Sequence, residues 1–226
     1  MVDGTALTFE VLGLLKDVFT MVDRQTGTVW QHLDGSAVRG PLEGRRLEIV
    51  PLQLSYWGEW RRSHPDTVVL SPDTPFSDRH RDVTTARFDF REATFGDERL
   101  RSNTLVLGVE IDGRFKGYSV DKVRAARGVV NDTLAGAEIL VVYDADAQTG
   151  LAYSRELGGR TLSFRNAAPN GFELTDVETG SGWDIQGRAT SGTLAGETFI
   201  FVPSFISEWY GWSGYHPETL LYSSGP

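Results

Sequence analysis

The chain has 226 residues, of which 40% are hydrophobic, 11% aromatic and 23% charged, a balance that excludes a disordered or low-complexity protein. Its 22 Lys and Arg, scattered in ones and twos, stand against 31 Asp and Glu for a net charge of -9, which argues against nucleic acid and anionic membrane surfaces as partners. With no cysteine, disulfides, thiolate metal sites and cysteine nucleophiles are ruled out, and no apolar run nears the ~18 residues of a membrane span.

The opening "MVDGTALTFE" lacks the basic start and apolar stretch of a signal peptide. Short strands joined by turns follow, with "LTF" at Leu7 and then "DRQTGTVW" from Asp23 to Trp30, where the Thr-Gly pair supplies a residue tolerant of positive φ. At "SYWGEWRRSHPDT" the pattern changes. Ser55 is expected to cap a helix with Trp57, Trp60 and His64 on one face, and Pro65 forbids its continuation. Residues 72–102 are rich in Pro, Asp and charge without periodicity and are read as a connecting loop across the surface. "LVLGVEIDGRFKGYSV" predicts a hairpin around Asp112-Gly113, "DKVRAAR" a short helix with Asp121 as N-cap, and "GVVNDTLAGAEILVVYD" two strands around Ala135-Gly136. Gly158-Gly159 reads as a further hairpin turn.

From there the chain repeats itself. Residues 35–71 align without gaps on residues 187–223, sharing fourteen of thirty-seven positions, including Gly35, Gly40, Pro51, Trp57, Trp60, His64, Pro65 and Thr67. Upstream, "DRQTGTVW" faces "DVETGSGW" (Asp176 to Trp183), and "LTF" faces "LSF" at Leu162. The second helix therefore carries Trp209, Trp212 and His216, ended by Pro217. Residues 103–154 occur once. The expected organisation is a first, incomplete unit over 1–71, a connecting loop over 72–102 and a second, complete unit over 103–226.

The segments "VLGVEIDGRFKGYSVDKV", "GVVNDTLAG" and "MVDRQTGTVWQHLDGSAVRGPLEG", with the paired "W..W...HP" helices, resemble domain of unknown function family 3179 over most of the chain. The resemblance implies a tandem architecture and an exported protein of the periplasm, envelope or exterior, and implies no activity. Family members carry a Tyr-Cys-Pro-Leu-Cys motif after VVNDT and begin with such a front segment, whereas this chain starts as if in mid-unit. Here "YDADA" from Tyr143 holds that position, followed by Thr149-Gly150, with Asp144 and Ala147 where the cysteines would stand. Neither residue can replace a soft sulfur ligand, so no thiolate or redox role transfers.

Three groups of residues are candidates for chemistry. The faces formed by Trp57, Trp60 and His64 and by Trp209, Trp212 and His216 can serve as an aromatic platform for a carbohydrate or another flat ligand, or as interior packing against a sheet with the histidine bonding nearby carbonyls. Their recurrence favours packing in both copies. Asn131 and Asp132, consecutive polar residues in a strand, point to a bulge or to a pocket. With Asp144 or Asp146, Asp132 suits a hard cation, although no calcium loop spacing is present. The four histidines, His32, His64, His80 and His216, lack metal-ligand spacing, and neither a G-x-S-x-G elbow nor a nucleotide-binding loop is found, so no metal site or cofactor is expected.

The sequence thus predicts a mainly β (β-rich α+β) protein of two related antiparallel units, barrel-like or sandwich, each closed by a Trp-bearing helix. The expected role is a non-enzymatic binding or structural module of the cell envelope or exterior, its small ligand undefined. The alternative is a metal-dependent or hydrolytic enzyme centred on Asn131, Asp132 and Asp144. The first unit's incomplete sheet edge is expected to be covered by residues 72–102, by self-association or by an N-terminal half-unit.

Overall fold

A computed structural model describes residues 2–15, 18–52, 54–79 and 97–223. The protein is mainly β, with several sheets and short helices, and no sheet closes into a barrel among the described residues. In the first unit β1 (Phe9–Leu15), β2 (Val18–Asp23), β3 (Val29–Gln31) and β4 (Ala37–Arg39) form one antiparallel sheet in chain order. Helix α1 (Trp57–Ser63) follows after a stretch with no regular element. A 3-10 turn spans Ser77–Arg79, and the rest of the expected loop as far as residue 96, His80 included, lies outside the described residues.

The second unit opens with β5 (Leu105–Ile111) and β6 (Arg114–Ser119), joined at Asp112 and Gly113 with φ of 49° and 71°, the twist that suits a two-residue hairpin. Helix α2 (Val120–Ala125) then starts at Ser119, not Asp121, which falls inside the first turn instead, where its carboxylate favours the helix N-terminus. Next come β7 (Val129–Leu134), β8 (Ala137–Asp144) and β9 (Thr149–Ser154), with the expected turn at Ala135-Gly136. The ribbon β10 (Glu156–Leu157) and β11 (Arg160–Thr161) turns at Gly158-Gly159. A three-stranded sheet is made by β12 (Phe164–Asn166), β13 (Leu174–Asp176) and β14 (Gly182–Trp183). The chain closes with β15 (Phe201–Val202), β16 (Ser204–Glu208), α3 (Trp209–Tyr215) and β17 (Leu220–Leu221).

The run "ILVVY" in β8 is apolar without alternation because both of its faces are covered. Ile139, Val141 and Tyr143 pack with Leu107, Val109 and Tyr118 of the sheet ordered β16-β5-β6-β17. Leu140 and Val142 pack with Leu162, Phe164, Leu174 and Trp183 on the other side. Each such side chain contributes about 1.5–3 kcal/mol by its removal from water. On the far face of β5 and β6, α3 is enclosed between Val106, Phe115, Phe205 and Leu221 and, from the first unit, Val18 and Leu33.

The shared sequence folds alike in part. Ala37 N–H donates to Arg45 C=O as Ala189 N–H does to Glu197 C=O, and Leu47 N–H donates to Gly35 C=O as Phe199 N–H does to Gly187 C=O, all at 2.9 Å. The expected cover of the first unit's edge is not found among the described residues, and β1 exposes Val11, Leu12, Leu14 and Leu15.

Candidate functional site

The D-x-x-T-G-x-x-W motif is a buried polar knot, written twice. Asp23 accepts hydrogen bonds from Thr26 N–H and Oγ1, from Thr28 N–H and from the Trp30 indole at 2.9 Å. Asp176 accepts the same set from Thr179, Ser181 and the Trp183 indole at 3.1 Å. Burial by itself raises each carboxyl pKa, but these donors together hold both below the ordinary value, so each stays ionised. Glycine is required beside each knot. A Cβ at Gly40 would lie 2.8 Å from Thr28 Cα, and one at Gly192 would lie 2.7 Å from Ser181 Cα. The motif is therefore structural, and its acceptors are saturated by its own neighbours.

The two Trp helices share one local design. Each starts after an extended residue, Tyr56 or Glu208, with no side-chain cap, because Ser55 and Ser207 turn their hydroxyls to the following carbonyl and do not cap as expected. In both, the histidine N–H bonds the second Trp carbonyl, and that Trp's indole donates at 2.9 Å to a threonine seven residues on, Trp60 to Thr67 and Trp212 to Thr219.

Their surroundings differ completely, which overturns the expectation that both indole pairs are interior filler. Trp209 and Trp212 are 0% and 1% exposed. The Trp209 indole donates to Asp97, and Phe115 and Phe205 meet the Trp212 ring edge-on. Two glycines make the room. A Cβ at Gly108 would stand 2.2 Å from the Trp212 ring, and one at Gly117 would stand 3.3 Å from the Trp209 ring. By contrast α1 buries none of its residues, and Trp57 is 51% exposed. Two hydrogen bonds tie the entry of α1 to the β8–β9 turn, from Thr149 Oγ1 to Leu54 C=O and from Tyr56 N–H to Ala147 C=O.

The histidines register the same difference. His216 stacks on Phe115 at 3.8 Å, with its Nε2 buried and without a partner, and desolvation lowers its pKa to about 4. His64 meets no such ring from another element among the described residues and stacks instead on its own Trp60 at 4.0 Å. His32 bonds Phe19 C=O through Nδ1 at the surface.

Asn131 and Asp132 form no bulge, since β7 pairs with β8 residue for residue. The Asn131 amide donates to Phe164 C=O and accepts from Phe164 N–H, both at 2.8 Å, and so stands in for a strand where β7 meets β12. Asp132 accepts from Lys116 Nζ at 2.6 Å and from Tyr118 OH at 2.8 Å, and burial with the Asp132 charge pushes the Tyr118 pKa up. Asp144 closes a turn by accepting from Asp146 and Ala147 N–H. Because Asp132 pairs with Ile139, it lies five residues, or roughly 17 Å, along β8 from Asp144, and the three candidates do not converge. Asp144 and Asp146 border a cavity of about 240 Å³ with Arg124, Arg127 and Tyr143. Among the described residues no three His, Asp or Glu side chains gather as a metal site.

Sequence reasoning missed the aromatic partner Phe115 and the two accommodating glycines. Gly108 and Gly117 carried a signal, because glycine inside a strand run marks a close approach.

A mainly β protein of several antiparallel sheets with short helices is what this architecture defines. The chain belongs to the family described as protein of unknown function (DUF3179), whose model matches residues 1–219. No curated protein and no solved structure matches it. None of its described helices is long and apolar enough to cross a membrane.

Proposed function

We propose that the chain is a non-enzymatic binding or structural module of the cell envelope or exterior, made of two copies of one repeat, in which the second unit is the stable scaffold and the first is the binding half. The observation that carries this reading is the apolar row left open on the first unit. Val50, Leu52, Leu54, Tyr56 and Trp57 are all more than half exposed, as are Val68 (92%), Val69 and Leu70 (94%). Runs of exposed apolar side chains of this kind are costly in water and mark a surface that meets another molecule. The polar candidates support the same reading, because Asn131 and Asp132 are already engaged by Phe164, Lys116 and Tyr118. The envelope or exterior as its place rests on the resemblance to an exported family.

The test combines an apolar dye with metal analysis. The double variant L52D/W57S is expected to lose most bis-ANS binding while its unfolding midpoint stays within a few degrees of the parent. An unfolding midpoint that collapses would mean the row serves the fold and not a partner. Stoichiometric calcium or zinc in the purified protein, lost in Asp132→Ala, would favour an enzyme at Asp132 instead.

A further inference from the structure

The second unit holds a cleft of its own, apart from the open apolar row and independent of the reading above. It lies between the C-terminal end of α2, the β8–β9 turn and the loop 167–173, and its volume is about 240 Å³. That is below the roughly 300–1,000 Å³ of sites for drug-sized molecules, so it suits a small metabolite.

The walls are fixed by bonds internal to the chain. Where α2 ends, Arg127 N–H donates to Arg124 C=O and Gly128 N–H to Val123 C=O, a terminus that turns the residue beyond the cap into the left-handed region. Glycine ordinarily fills that place, yet Arg127 stands there at φ 59°. Gly128 beside it is required, since a Cβ there would collide with the Tyr143 carbonyl oxygen. Asn166 ties this end of α2 to the facing loop. Its amide N–H groups donate to Arg127 C=O at 3.0 Å and Gly171 C=O at 2.9 Å, and its oxygen accepts from Ala168 and Glu173 N–H.

Charge is segregated across the cleft. Arg124 and Arg127 border it from α2, and Asp144 and Asp146 border it from the β8–β9 turn. Among the described residues neither arginine comes within 4.0 Å of either carboxylate, so opposite charges face each other without pairing. Arg127 donates to Ala168 C=O and Arg124 reaches only Asp121, at 4.0 Å, which leaves most of their N–H donors without an acceptor among the described residues. Asp144 accepts the turn N–H groups at Oδ1 alone, and the Asp146 carboxylate takes no hydrogen bond among the described residues. Pro169 and Phe172 add apolar lining.

We propose that this cleft binds a small zwitterion of the α-amino-acid class, its carboxylate held by Arg124 and Arg127 and its ammonium by Asp144 and Asp146. A simple anion would face the two aspartates and a simple cation the two arginines, whereas a ligand bearing both charges is matched on both walls. The planar guanidinium is the donor best shaped for a carboxylate. Pro169 and Phe172 suit an aliphatic side chain. Because Arg124, Arg127 and Asp146 are exposed, solvent screens these contacts and the expected Kd is on the order of 0.1–1 mM.

The test follows backbone amide shifts of the isotope-labelled full chain as L-valine is added. Isovalerate, which lacks the ammonium, and isobutylamine, which lacks the carboxylate, serve as controls. L-valine is expected to move the Gly128 and Gly171 amides saturably, with each control at least about ten-fold weaker. Arg127→Gly is expected to lose about ten-fold or more in affinity while the unfolding midpoint holds or rises, because glycine suits the left-handed position. Asp146→Asn, which removes no hydrogen bond of the fold, is expected to weaken L-valine several-fold without weakening isovalerate. A control that binds as tightly as L-valine overturns the zwitterion, as does glucose moving these amides where L-valine does not. No saturable shift up to roughly 50 mM, or full affinity in both variants, overturns the site itself. Should Arg127→Gly lower the midpoint, Arg127 serves the fold, and the site then stands or falls on Asp146→Asn.

Discussion

Helices α1 and α3 carry the same Trp, Trp, His, Pro and Thr at the same spacing and close on the same local bonds, yet one is core and the other is surface. The difference lies in what the rest of the chain brings to each. Residues 105–154 supply two glycine-bearing strands and Phe115 to α3, and nothing described supplies the like to α1. A motif that recurs in two copies thus fixes a helix and its cap but not its burial. The Asp knots behave in the opposite way, because every partner of Asp23 and Asp176 lies within the motif itself.

That contrast can be broken most sharply at the indoles. Trp209→Ala is expected to cost about 3–5 kcal/mol in chemical denaturation and Trp57→Ala under about 1 kcal/mol, since only the first leaves a cavity. Equal losses would mean α1 is packed in solution as α3 is. The knots sharpen the comparison from the other side. Asp23→Ala and Asp176→Ala should each lose roughly 2–3 kcal/mol, because either leaves an indole N–H and backbone donors buried without an acceptor. A large asymmetry between these two variants would count against the knots as equivalent, self-contained elements.

A further expected effect is a pH dependence confined to the second helix. His216 is held neutral in the fold, with its pKa depressed to about 4 against an ordinary 6.5. The unfolded chain therefore binds the proton more readily between those values, and stability falls as pH drops from about 6.5 toward 4, by on the order of 2 kcal/mol. Above that window the group contributes no pH dependence. Denaturant midpoints measured across it should flatten in His216→Phe, whose ring can still stack on Phe115. A profile that keeps its slope in the variant assigns the effect to another group.

Much of the fold was readable from local chemistry. Asp112-Gly113, Ala135-Gly136 and Gly158-Gly159 each mark a hairpin, because these pairs accept the positive φ that a two-residue turn demands. The Trp spacing gave both helices, and Pro65 and Pro217 their ends. The caps were misread, since a serine before a helix can equally bond a neighbouring carbonyl. Asn131 and Asp132 misled for a related reason. A polar pair in a strand signals that its groups need partners, and it does not say whether those partners are a ligand, a lysine or another strand's backbone.

Pattern along the chain determined the strands, the turns, the twin helices and the paired knots, because each depends on groups a few residues apart whose geometry is dictated by backbone preferences. Which tryptophans left water was decided only when sheets from distant parts of the chain met. Burial is a property of surfaces brought together, and the 105–154 segment reaches one indole pair and not the other.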